Sequence, residues 1–290
     1  MPAMSHVTPQ SMDPRPVASI PTFKLPSRLE RPPPCSDSVS RRTLDTVAPD
    51  LVELPLPFIQ HQLALHTEQM LAGLHDLQVP STIPRLDLPN KLEITLPEHS
   101  SHDQPIYPTH VFAVSLPSDS AAPSNVFPDL VSFHGIVFAA HCAARIPFAV
   151  PADEDDSAID TVSLTVCPVV LPSAQALITL RTYMYTKSID TLFASFFPLP
   201  EPLTHETFKS ALESSETKSL LAARLVSVHH GFAHLLGYTA LVQDVWQTAY
   251  CLEMYHTEFW DALDLAWELV IMALNLAADA QQSQQSEDGG

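Results

Sequence analysis

Two stretches decide the fold of this chain: His134-Gly-Ile-Val-Phe-Ala-Ala-His141, and Leu177-Ile-Thr-Leu-Arg-Thr-Tyr-Met-Tyr-Thr186, which is followed by Ile189-Asp190. The first is alanine-rich and lacks strict alternation of apolar and polar residues, which favours a buried helix. Before the second, Ser173 can cap a helix that runs to Tyr185. Neither stretch holds a nucleophile with a base, a phosphate-binding loop or a set of metal ligands. The pair therefore predicts two helices and gives no indication of catalysis.

The composition argues against several classes of function. The 290 residues carry a formal net charge of −19, so direct binding to nucleic acid or to an anionic membrane surface is unfavourable. Of the six glycines, two are the terminal Gly289 and Gly290 and the others are isolated, whereas phosphate-binding loops need clustered glycines. We therefore expect no P-loop or Rossmann-type enzyme, no direct contact with nucleic acid and no membrane insertion.

The cysteines bear on the compartment. Cys35, Cys142, Cys167 and Cys251 show no CxxC spacing, which is typical of reduced thiols in a cytosolic or nuclear protein. The N-terminus also lacks the apolar core of a signal peptide. We expect a soluble intracellular protein in the nucleus, the cytoplasm or both.

Proline content and periodicity divide the chain into four predicted regions. Residues 1–57 hold twelve of the 28 prolines and are predicted to be a disordered arm. Residues 58–198 mix helical patterns with short strands and predict an α+β domain with a small sheet and packed helices. Residues 199–280 predict an all-helical region, and the polar residues 281–290 predict a disordered tail.

Within these regions the pattern predicts individual elements. One amphipathic helix is expected over Phe58–Leu77, and Ser188 and Thr204 are expected to cap two later helices. An apolar stripe that begins at Leu221 is expected to end at Gly237. Branched and aromatic runs bounded by proline predict strands at Leu92–Leu96, Val111–Leu116, Val131–Phe133 and Val162–Val170.

Two alternative functions stay open at this point. A metal-dependent hydrolase would use His229, His230 and His234, because His230 and His234 lie one helical turn apart. However, no glutamate stands beside the first histidine as the general base of a zinc protease. A transcriptional cofactor would use the acidic body of the chain, with the basic arm, which includes Arg41-Arg42, as an import signal.

Aromatic residues cluster towards the C-terminus. Core packing of a helical array is the first expectation for them, because the tryptophans fall on or beside the periodic stripe. The alternative is an exposed groove for a partner peptide, because aromatic anchors concentrate at interaction hot spots. The candidate partner surface consists of Trp246, Tyr250 and Trp260.

The two opening stretches resemble the signature stretches of BTB/POZ domains. In that family a strand leads into a histidine and an apolar helix with two alanines, and a later helix ends in Tyr-x-Tyr-Thr before a short acidic turn. The matching residues are His134, Val137, Phe138, Ala139, Ala140, Leu180, Tyr183, Tyr185 and Thr186. The resemblance implies that His134 holds a turn by hydrogen bonding and that the apolar members fill the core. Three features depart from the family: Lys187 replaces its glycine, Cys142-Ala-Ala-Arg145 replaces its serine and aromatic residue, and a proline-rich insertion separates the strands. The resemblance therefore implies the core fold and leaves the family's dimer and cullin contacts open.

The run Asp129–Leu199 as a whole resembles the basidiomycete clampless-type proteins, which are fungal regulators of clamp-cell formation and dikaryon growth. This resemblance implies a protein that is not an enzyme and that needs no cofactor or metal. It implies a regulator that works through other proteins, such as transcription factors, or through a second copy of itself.

Overall fold

The computed structural model describes residues 25–26, 28–33, 37–80, 83–96, 104–117, 127–144, 146, 148, 161–197, 199, 203–228 and 232–288. Within these residues the chain is α+β, with a small mixed sheet and a helical C-terminal region, which confirms the predicted fold class. The helices are α1 (Asp37–Val47), α2 (Leu56–Leu65), α3 (Thr67–Asp76), α4 (Gly135–His141), α5 (Ala174–Thr186), α6 (Ile189–Phe196), α7 (His205–Glu213), α8 (Ser215–Val228), α9 (Phe232–Cys251) and α10 (Thr257–Asp288). The strands are β1 (Lys91–Thr95), β2 (His110–Ser115), β3 (Asp129–Phe133) and β4 (Thr161–Val170).

The sheet has the strand order β1-β4-β2-β3. Strand β2 pairs antiparallel with β3 and parallel with β4, and β4 pairs antiparallel with β1. Every residue of β2 is buried, whereas β1 at the edge alternates between exposed and buried residues. A central strand covered on both faces is expected to lack alternation, and an edge strand with one wet face is expected to show it. The predicted strands are therefore confirmed, within one or two residues at each end.

One face of the sheet opens onto the main core, which extends into the C-terminal helices. Phe112 and Phe133 stack with their ring centroids 3.9 Å apart, and Phe138 of α4 meets Phe112 edge-on at 5.2 Å. Gly135 allows α4 to begin here, because a Cβ at this position would lie 2.6 Å from the ring of His110. The alanine-rich stretch is thus a short helix pressed onto the end of β3.

The helices that follow β4 begin as the sequence predicts. The side chains of Ser173, Ser188 and Thr204 accept hydrogen bonds from the backbone N–H groups of Ala176, Thr191 and Thr207. Each of these bonds satisfies one of the free N–H groups in the first turn of a helix. The three predicted caps are confirmed.

Two helix limits differ from the prediction. The single helix expected over residues 58–77 is divided into α2 and α3 at His66, whose backbone leaves the helical region. Gly237, where a helix was expected to end, lies inside α9. Glycine in a helix costs about 1 kcal/mol relative to alanine, and burial of Leu235 and Val242 on either side of it offsets that cost.

The two segments expected to be disordered are ordered in part. Within residues 1–57, α1 buries Leu44 completely, and Leu29 is 6% exposed. Burial of these leucines offsets the conformational entropy lost on ordering the segment. The predicted tail begins at residue 281, but α10 continues to Asp288, because extending an existing helix is far easier than starting a new one. None of the helices in the described parts of the chain has the length and apolar character needed to cross a bilayer.

Candidate interaction surface

The two signature stretches meet at His134 and Tyr185. The backbone N–H of His134 donates to Tyr185 Oη at 2.9 Å, and His134 Nδ1 lies 2.6 Å from the same oxygen. His134 Nε2 lies 3.0 Å from the carbonyl oxygen of Ile106. The carbonyl of Ile106 can only accept, so Nε2 donates, and in the neutral ring Nδ1 then accepts from the Tyr185 hydroxyl. Burial lowers the pKa of His134 to about 4, which keeps the ring in that form.

The other residues of the predicted motif lie around this junction. Thr186 is half-buried at the end of α5, where its hydroxyl donates to the carbonyl of Thr182 at 2.9 Å. The remaining members are buried, namely Val137, Phe138, Ala139, Ala140, Leu180 and Tyr183. Tyr183 packs against Phe259 of α10 with the ring centroids 5.2 Å apart. The motif therefore lies in the interior of the fold, where its members make packing contacts and internal hydrogen bonds.

A partly buried polar cluster that the sequence did not reveal lies beside the motif. His256 Nε2 is 2.8 Å from His141 Nδ1 and 3.1 Å from Lys187 Nζ. Burial lowers the pKa of Lys187 to about 7 and that of His256 to about 3. Lys187 also has a φ of 51°, in the left-handed region that favours glycine. The departure of Lys187 from the BTB/POZ glycine was the one signal in the sequence that could have pointed here.

The chemistry available to this cluster is limited by space. A partly neutral lysine can act as a nucleophile, but the cavity beside Lys187 has a volume of only about 20 Å³, which is room for one water molecule. The thiol of the neighbouring Cys142 is completely buried, and burial raises its pKa far above the ordinary value. Such a thiol is inert. The cavity between His141 and Lys187 is therefore too small for a substrate larger than water.

Residues 25–26 and 28–33 of the proline-rich arm lie in a groove on α9 and α10. We call it the arm-binding groove and define it by Trp246, Trp260, Asp261, Asp264 and Trp267. The indole N–H of Trp246 donates to the carbonyl of Glu30 at 2.6 Å, and that of Trp267 donates to the carbonyl of Pro26 at 2.9 Å. The groove thus holds this part of the arm through the backbone carbonyls of Pro26 and Glu30.

Charged and apolar contacts add to the backbone bonds. Arg31 Nη2 lies 2.7 Å from Asp261 Oδ1 and 2.6 Å from Asp264 Oδ2, and its Nε lies 3.0 Å from the latter oxygen. Burial alone would lower the pKa of Arg31, but the bonds to the two carboxylates outweigh it and leave this pKa raised. Leu29 is buried beneath the same segment. The arm is therefore anchored by one leucine and one arginine.

The three residues of the predicted partner surface lie in different environments. Trp246 holds the arm, and Tyr250 lies next to it with 43% of its surface exposed. Trp260 is buried and donates to the carbonyl of Met254 at 2.9 Å, but it lines a cavity of about 180 Å³ beside Pro32 and Pro33. Sequence reasoning missed the two aspartates and Trp267. The contrast between a basic arm and an acidic body was the feature of the sequence that could have predicted an ion pair between them.

The histidines of the alternative metal site are only partly described. His229 and His230 lie outside the described residues, and His234 lies in α9. Within the ranges that the structure describes, no three histidine, cysteine, aspartate or glutamate side chains come together as a metal site. The hydrolase alternative gains no support from the fold.

The fold and the groove define a helix-rich α+β protein that holds an irregular segment of its own N-terminal arm on its C-terminal helices. Two family models match the chain, the Clampless protein 1 N-terminal domain over residues 33–172 and the Clampless protein 1 C-terminal domain over residues 190–289. The chain belongs to the clampless family. No curated protein and no solved structure matches it. The resemblance to clampless-type proteins is confirmed, and the BTB/POZ likeness stays a prediction.

Proposed function

We propose that this protein is a non-catalytic regulator of fungal sexual development, acting in clamp-cell formation and dikaryon growth by binding other proteins. Membership of the clampless family indicates the developmental role. The observation that carries the proposed mode of action is the arm-binding groove, where indole N–H groups and a pair of aspartates hold a peptide segment that is neither helix nor strand. Tryptophan and arginine contacts of this kind dominate the energetics of protein interfaces.

The polar cluster supports a mode of action without catalysis. His141, His256 and Lys187 are the described residues that most resemble an acid–base group, and the cavity that His141 and Lys187 line has room for about one water molecule. A catalytic group must come within hydrogen-bonding distance of a substrate. We therefore assign the cluster a place in the packing between α4, α5 and the start of α10.

The partners that we propose are regulatory proteins, including transcription factors, with a second copy of the chain as a further candidate. Because the formal net charge is −19, basic segments of such partners are favoured over nucleic acid itself. The nucleus and the cytoplasm are the proposed compartments. A fluorescently tagged chain with and without residues 1–42 would show whether the basic arm directs import.

Gene replacement in a basidiomycete tests this function. Disruption of the gene should abolish clamp cells and growth of the dikaryon, and the natural chain should restore both. A chain carrying Lys187→Met, which removes the buried amine, should restore them equally well. Normal clamp cells in the disruptant would contradict the developmental role. Failure of a folded, normally abundant Lys187→Met chain would contradict the non-catalytic mode of action.

A further inference from the structure

We infer that the arm-binding groove recognises an extended, basic, proline-flanked segment of a partner protein, and that residues 25–33 occupy it in the free chain as an internal competitor. The inference rests on the proposed function, because it specifies the partner chemistry and the regulation of that same surface. Four features of the groove support the inference: its backbone contacts, its paired carboxylates, the exposure of the ion pairs and an unfilled cavity.

The backbone contacts can be made by any extended segment. Trp246 and Trp267 donate their indole N–H groups to the carbonyls of Glu30 and Pro26. A carbonyl is present in every residue, and a proline-flanked segment remains extended at little entropic cost. These two bonds therefore fix the path of the ligand without fixing its sequence.

The paired carboxylates give the groove its preference for arginine. Asp264 has a side chain only 13% exposed and accepts from both Nε and Nη2 of Arg31, while Asp261 accepts from Nη2. A guanidinium can make this set of contacts in one plane, whereas an ammonium is a point charge that cannot. With Leu29 buried two residues before Arg31, the ligand class is an extended segment with leucine, any residue and arginine, followed by proline.

The arm is held loosely enough to be exchanged. The side chains of Arg31 and Asp261 are 35% and 37% exposed, and exposed ion pairs contribute little because solvent and salt screen them. The cavity of about 180 Å³ beside Pro32 and Pro33 is bounded by Met254, Tyr255, Thr257 and Trp260. A partner with a larger apolar side chain at either proline position would fill that space and displace the arm.

Peptide binding to the full chain tests the inference. The probe is a fluorescently labelled synthetic peptide with the sequence of residues 25–33, titrated while its anisotropy is recorded. The Arg31→Ala chain, whose own arm is weakened, should bind this peptide at least tenfold more tightly than the natural chain. Arg28→Ala, which removes an exposed arginine from the same arm, is the matched control and should behave like the natural chain.

Further variants separate the outcomes. The Arg31→Ala chain should lose the peptide when Asp261→Asn and Asp264→Asn are added, and a leucine at the position of Pro33 in the peptide should tighten binding. The inference is wrong if the peptide binds neither to the Arg31→Ala chain nor to the Leu29→Asp/Arg31→Ala chain while both keep an unchanged circular dichroism spectrum. The arm would then be a fixed part of the fold. Light scattering that shows an Arg31-dependent dimer of the natural chain would assign the groove to a second copy instead.

The peptide result is independent of the fungal phenotype. Tight peptide binding together with normal clamp cells in the disruptant would remove the proposed developmental role and leave the recognition site in place. Absence of peptide binding together with a restored phenotype would remove the recognition site alone.

Discussion

The junction of the signature helices and the arm-binding groove both join segments that are distant in sequence, but they use different chemistry. At the junction, His134 and Tyr185 are buried and exchange neutral hydrogen bonds. At the groove, Arg31 is about one-third exposed and its partners are charged. A buried polar group that loses its partner cannot turn to water, whereas an exposed ion pair can. The comparison indicates that the junction opens only when the protein unfolds and that the groove can open in the folded state.

The largest effect is expected in the packing around the junction. Leu180 is completely buried in α5, and Leu180→Ala should lower the free energy of unfolding by about 2–5 kcal/mol because it leaves a cavity. Denaturant unfolding followed by circular dichroism measures this. Ile178→Ala on the same helix is the control, since Ile178 is only partly buried and should cost less. Equal decreases in the free energy of unfolding for the two variants would mean that packing of the Leu180 face does not anchor α5.

The hydrogen bonds of the junction give the next largest effect. Tyr185→Phe removes the oxygen that accepts from the His134 backbone and meets its ring, so it should cost about 1–3 kcal/mol. Tyr250→Phe is the matched control, because Tyr250 is exposed, and it should change stability by less than about 0.5 kcal/mol. A loss for Tyr185→Phe no greater than for the control would place water at the junction.

Lys187 provides a further test of the comparison between the junction and the groove, because it is an ionisable group near the buried junction. Burial lowers its pKa from an ordinary 10.5 to about 7 in the folded chain. Between these two values the unfolded chain binds more protons than the folded chain, so the free energy of unfolding rises with pH by up to about 1.4 kcal/mol per pH unit. Lys187→Gly should remove that rise, as measured by unfolding at several pH values from 7 to 10.

Glu253→Gly is the control for this experiment. Glu253 has a φ of 52°, close to that of Lys187, but its side chain is exposed. Both substitutions relieve a left-handed backbone conformation and should stabilise the chain by at most about 1 kcal/mol. Only Lys187→Gly should change the dependence on pH. If the free energy of unfolding of the Lys187→Gly chain still increased with pH, that increase would have to come from other titratable groups.

The elements that the sequence predicted correctly are those that depend on residues close together in the chain. The caps at Ser173, Ser188 and Thr204 and the strand patterns depend on residues within a few positions of each other, which is the range over which sequence periodicity acts. The contacts that were missed join distant residues. The approach of Lys187 to His256 and the burial of Leu29 depend on residues far apart in the sequence. The signals in the sequence, Lys187 in place of a glycine and a basic arm beside an acidic body, do not identify the contacting residues, so packing of the whole chain determines them.

The smallest effect on stability, and the most direct test of the comparison, is expected in the groove. Arg31→Ala should lower the free energy of unfolding by less than about 1 kcal/mol, since the ion pairs are exposed. It should nevertheless expose the indole N–H groups of Trp246 and Trp267 to exchange with solvent, as measured by NMR. The three tryptophans of the chain supply the internal control, because Trp260 donates to Met254 rather than to the arm and should stay protected. Simultaneous loss of protection at all three indoles would mean that the groove opens only with the rest of the fold, and the distinction between the two regions would fail.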